Sequence, residues 1–91
     1  MTIEEKEDEM TKRVKKELDS IKYRIANIMS YVMEDAYLRD GSRKTVIYTS
    51  FTEMTLGNDI SVVTDPETME MLYVKTATTR FVDIDVFFKK K

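Results

Sequence analysis

From Ile3 to Leu38 the chain has neither glycine nor proline, and Met10, Val14, Leu18, Ile21, Ile25, Ile28 and Val32 recur at intervals of four or three. Steps of that size bring side chains back to one face of an α-helix, so the spacing predicts one long helix over about residues 3–39. Opposite charges four apart support it: Asp8 with Lys12, Glu9 with Arg13, Arg13 with Glu17, and Lys15 with Asp19. The acidic first turns face the positive end of the helix dipole. Asp40-Gly41-Ser42 is the expected stop, with Gly41 suited to a left-handed C-cap.

After Gly41 the period falls to two. Residues 44–51 and 60–64 read as strands, separated by a hairpin turn at Leu56-Gly57-Asn58-Asp59. Residues 81–88 alternate, with Val82, Ile84, Val86 and Phe88 on one face and Phe81, Asp83, Asp85 and Phe87 on the other, which predicts a half-buried strand. Residues 69–76 admit two readings. Asp65-Pro66-Glu67 has the form of a helix start, but Leu72-Tyr73-Val74 and the Thr-rich turn after it favour a strand. The expected fold class is α+β: one long N-terminal helix followed by a three- or four-stranded antiparallel sheet over about 43–89, within a single domain covering 1–91.

Such a helix does not fit its own domain. Residues 3–38 would extend about 54 Å at ~1.5 Å per residue, whereas a folded chain of this size is only about 31 Å across. The first half of the rod would project. With Leu18 at heptad position a, residues Val14, Leu18, Ile21, Ile25, Ile28 and Val32 fall at alternating d and a positions, a narrow stripe that suits a partner helix. These six residues are the expected oligomer interface and a homodimer the expected assembly. The alternative is a monomer whose helix breaks near Asp19-Ser20 and folds back as a hairpin.

Composition then narrows the function. The 91 residues include no cysteine and no histidine, which removes thiolate chemistry, the commonest general base and the commonest metal ligand. No nucleophile elbow or phosphate-cradling glycine loop is present, so neither an enzyme nor a cofactor is expected. Asp83 and Asp85 share a predicted strand face, but two carboxylates are too few for a hard cation. The acidic start carries no targeting pattern and no apolar run reaches membrane length, which points to a cytoplasmic protein without a membrane partner.

Net charge is −2, but it is unevenly spread. Residues 1–10 hold five acids and one base, and residues 11–24 six bases and two acids. Two functions follow as expectations. The preferred one is a non-enzymatic protein-interaction module, dimerising through its helix and acting on another protein as adaptor, inhibitor or assembly subunit. The second is a nucleic-acid-binding regulator that uses Lys12, Arg13, Lys15 and Lys16, with Tyr48, Phe51, Tyr73, Phe81 and Phe87 available to stack bases. Asp83 and Asp85, placed on the face of Phe81 and Phe87, count against it. Tyr23, Tyr31 and Tyr37 lie outside the heptad seam as packing or anchor residues. Met29, Met33, Met54, Met69 and Met71 read first as gap-filling core and second as an adaptable protein-binding surface, and Lys89-Lys90-Lys91 as a solvated tail that blunts the last strand.

Overall fold

The N-terminal helix forms, but at half the length its periodicity suggests. In the computed structural model, which describes residues 1–77 and 80–89, α1 runs Ile3–Ser20. Its start is a capping box: Thr2 Oγ1 accepts from Glu5 N–H at 3.2 Å and Glu5 Oε1 accepts from Thr2 N–H at 3.0 Å. Eighteen residues span about 27 Å, and the molecule measures 30 × 28 × 27 Å. The helix therefore fits across its own sheet, and nothing projects.

The helix ends just after the Asp19-Ser20 break point, and it does so without glycine. Lys22 N–H donates to Asp19 O at 3.1 Å and Tyr23 N–H to Leu18 O at 2.9 Å, the paired bonds of a Schellman motif with Ile21 as C-cap. Lys22 takes the left-handed position at φ 57°. The chain then turns back as a strand, so the expected helix over residues 21–38 is corrected to β1 (Ile25–Tyr37).

Five strands make one antiparallel meander in the order β1-β2-β3-β4-β5: β1, then β2 (Arg43–Glu53), β3 (Asp59–Thr64), β4 (Met71–Ala77) and β5 (Arg80–Val82). The α+β class holds with one more strand than expected, and the uncertain stretch 69–76 forms β4. The turn at 56–59 joins β2 to β3, with Gly57 at φ 75°. The strand expected over 81–88 is corrected. β5 stops at Val82 and α2 (Ile84–Phe87) follows, because Ile84, Phe87 and Phe88 pack on the core at helical intervals of three and four while Val86 stays exposed. Thr78 and Thr79 of the Thr-rich turn, and Lys90 and Lys91 of the tail, lie outside the described residues.

The helix covers β1 and β2 on the inner face of the sheet, and α2 covers β4. Met10, Val14 and Leu18 interlock with Ile47, Phe51, Ile60, Val62, Val74 and Phe88. Burying side chains of this size stabilises by about 1.5–3 kcal/mol each. Polar bonds fix the helix on both flanks. Toward β1, Glu7 Oε2 accepts from Val32 N–H at 3.1 Å, and the hydroxyls of Thr11, Ser30 and buried Thr49 are chained at 2.6 and 2.8 Å. Toward the β3–β4 loop, Lys6 Nζ donates to Pro66 O and Arg13 Nη1 to Met69 O, both at 2.6 Å.

Asp65 organises that loop. Its carboxylate accepts from Glu67 N–H at 2.8 Å and pairs with Lys44 at 2.7 Å. The Lys44 bond, followed by the loop N–H groups, holds its pKa below the ordinary 3.8.

Two outcomes follow. Lys22→Gly removes a left-handed non-glycine residue and raises stability by about 0.5–1 kcal/mol, a Tm gain of roughly 2–8 °C in thermal melts. A carboxylate with a depressed folded pKa stabilises above its unfolded value and loses that contribution as pH falls through the folded one. Asp65→Asn is therefore less stable than the parent in urea at neutral pH, and the gap closes below about pH 4.

Candidate functional site

Among the described residues no helix lies over the outer face of the sheet. Register places Met29, Tyr31 and Met33 of β1 opposite Ser50, Tyr48 and Val46 of β2. Ser61 and Val63 of β3 follow, then Lys75 and Tyr73 of β4, and Phe81 of β5 stands opposite Lys75. The two ends of this face differ.

At one end the chain supplies its own roof. Val46, Tyr48, Val63, Tyr73 and Ala36 are buried beneath Met33, Leu38, Leu72 and Phe81. Asp35, at φ 54°, sits in a bulge of β1 where the register against β2 shifts, and bulged strands bend. The connection from Leu38 to Ser42 reaches across to β4. There Arg39 N–H donates to Tyr73 Oη at 3.0 Å, its guanidinium lies 4.9 Å from the Tyr73 ring centroid, and Nη1 meets Asp83 at 2.6 Å. Burial pushes the Tyr73 phenol above its usual 10.0, against the opposing effect of the bond from Arg39. Gly41, at φ 87°, serves this hairpin tip rather than a helix end. An apolar recess of about 460 Å³ is lined by Leu38, Arg39, Asp40, Leu72 and Tyr73.

The other end is unroofed. Two recesses of about 250 and 320 Å³ share Tyr31, Asp59 and Ser61 and form one trough. Its floor is fixed by side chains bonded to one another. Tyr31 Oη lies 3.2 Å from Ser50 Oγ, Ser50 Oγ lies 2.7 Å from Ser61 Oγ, and Thr52 Oγ1 donates to Asp59 at 2.9 Å. Lys75 Nζ stands 5.6 Å from the Tyr48 ring centroid. Met29, 58% exposed, forms the rim beside Asn27. The trough presents ring edges, hydroxyls, one ammonium and one carboxylate at fixed positions.

The expected interface residues lie elsewhere. Val14 and Leu18 are fully buried in the chain's own core, and Ile21, Ile25, Ile28 and Val32 pack against it. Three of the six belong to β1, so they form no helical seam. Of the basic band, Lys12, Lys15 and Lys16 are exposed on α1, while Arg13 is spent on the β3–β4 loop. Tyr48, Tyr73 and Phe81 do share a face, but Phe51 and Phe87 pack with Tyr23 on the inner side. Asp83 stands at the N-cap position of α2 but gives its carboxylate to Arg39 and makes no capping bond, and Asp85 is exposed in the first turn of α2. Tyr37 lies exposed under Arg43 at 4.2 Å. Met69 and Met71 join the inner core, Met33 the outer one, and Met29 and Met54 are exposed. Among the described residues no group of three or more carboxylates could hold a metal ion, and no helix is long and apolar enough to cross a membrane.

Sequence reasoning missed Asn27, Ser50, Thr52, Asp59, Ser61 and Lys75. The signal was available in the alternation of Val46, Tyr48, Ser50 and Thr52, whose outward set is not simply polar. No family model, curated protein or solved structure matches the chain.

Removing the Tyr73 hydroxyl tests the roof. Tyr73→Phe leaves the Arg39 N–H without its acceptor and lowers stability by about 1 kcal/mol. Amide exchange at residues 38–42 accelerates more than in β3, as read by NMR.

Proposed function

We propose that this chain is a non-enzymatic protein-interaction module that binds through the unroofed half of its outer sheet face, recruiting or blocking another polypeptide. The observation that carries this reading is the trough's lining. Tyr31 and Met29 are residue types enriched at protein interfaces, and Ser50, Ser61 and Asn27 are types that antibody-like recognition surfaces use. Tyrosine and methionine supply contact area, tyrosine at small entropic cost, and short polar side chains supply adaptable hydrogen bonds. The hydroxyl chain holds the floor in place before any partner arrives, which reduces the ordering cost of association.

Nucleic acid fits this trough less well. Phosphate recognition draws on several cations, and its affinity grows with each, whereas Lys75 is here balanced by Asp59. The exposed lysines of α1 lie on an element packed against the inner face, on the other side of the sheet from the stacked rings.

Position-specific photo-crosslinking tests the proposal. A photoreactive residue in place of Met29 gives a covalent adduct with another polypeptide in the native cell, one in place of Lys16 gives none, and Tyr31→Arg suppresses the Met29 adduct. Equal yield from both positions, or adducts with nucleic acid alone, overturns it.

A further inference from the structure

The trough holds one cation and one anion, and they are not partnered with each other. Lys75 and Asp59 line the same recess. Lys75 stands opposite Ser61 in the β3–β4 register, two residues along β3 from Asp59. Among the described residues the ion pairs are Arg39–Asp83, Arg43–Asp35 and Lys44–Asp65, so neither trough charge has an ionic partner. Lys75 rests over the Tyr48 ring, and Asp59 accepts one bond from Thr52. All other lining side chains are neutral.

A surface with one charge of each sign set side by side on a neutral ground is complementary to itself. In a two-fold dimer, if residue i of one protomer meets residue j of its partner, then j of the first meets i of the second. When two copies stack face to face about an axis lying in the interface plane midway between Lys75 and Asp59, each Lys75 meets the other copy's Asp59. One operation satisfies both charges. We infer that the occupant of the trough is a second copy of this chain, held by two reciprocal Lys75–Asp59 pairs in a sheet-to-sheet dimer.

This inference rests on the trough being a protein-binding surface and goes on to name the protein. It also moves self-association from the helix to the opposite face of the sheet. Reversing one charge sets like charges against each other twice in the dimer, whereas exchanging both restores the pairs.

Sedimentation equilibrium across a concentration series tests it, with circular dichroism to confirm the fold of each variant. The parent chain is dimeric, Lys75→Asp and Asp59→Lys each weaken association at least about tenfold, and Lys75→Asp with Asp59→Lys together recovers the parent's affinity. A monomeric parent overturns the second-copy occupant and leaves adducts from Met29 to a different polypeptide unaffected. A dimer unchanged by either single reversal, or a double exchange that fails to recover association, also overturns the inference, since the contact then does not run through these residues. An adduct from Met29 that contains only this chain supports it.

Discussion

Everything in this fold depends on the chain leaving its helix at Ile21. A helix continued to Leu38 would be a rod of about 54 Å, longer than the 30 × 28 × 27 Å molecule could cover. The two bonds that close the C-terminus, Lys22 N–H to Asp19 O and Tyr23 N–H to Leu18 O, instead reverse the chain so that β1 returns beneath α1. Leu18 and Tyr23 then meet the same core. The stripe of Met10, Val14 and Leu18 is thereby satisfied within the molecule, and the outer sheet face is left as the surface available for contact.

The stop was hard to read because its residue is lysine. A left-handed C′ position is most often glycine, and a lysine there costs about 1 kcal/mol that tertiary packing offsets. The strand after it was harder still. Ile25, Ile28 and Val32 are spaced by three and four, as on a helix, yet all three reach the inner face from a strand. A bulge at Asn27, with φ 58°, inserts one residue and shifts the alternation, and a second at Asp35 does so again. The first bulge turns the step from Ile25 to Ile28 into three, and ordinary alternation gives the four from Ile28 to Val32, so one bulge imitates a helical period; the local sign of the two bulges is that asparagine and aspartate tolerate positive φ. By contrast β2, β3 and the turn at Gly57 follow unbroken alternation and were legible. The capping box is legible too, as a threonine with a glutamate three residues on, Thr2 and Glu5.

The outer face was partly visible. Tyr48, Tyr73 and Phe81 were recognised as strand aromatics, but with residues 25–37 assigned to a helix there was no β1 to bring Tyr31 against Tyr48 or Ser50 against a tyrosine hydroxyl. Likewise, Asp83 and Asp85 seemed to spoil the face of Phe81 only while 81–88 was one strand. Once α2 begins at Ile84, Asp83 becomes an anchor for the hairpin tip through Arg39. The division of the face into a roofed and an open half arises from tertiary contacts between residues more than thirty positions apart, such as Arg39 with Tyr73, which no local pattern encodes.

The bond from Val32 N–H to Glu7 has a consequence for assembly. β1 is the longer of the two edge strands, and an exposed strand border is a template on which foreign chains add and fibrils grow. Here a helix carboxylate already occupies one of its outward donors, and the kinks at Asn27 and Asp35 spoil the straight ladder that an added strand would need. Both features work against strand addition at that border, where the ladder of donors is interrupted and bent.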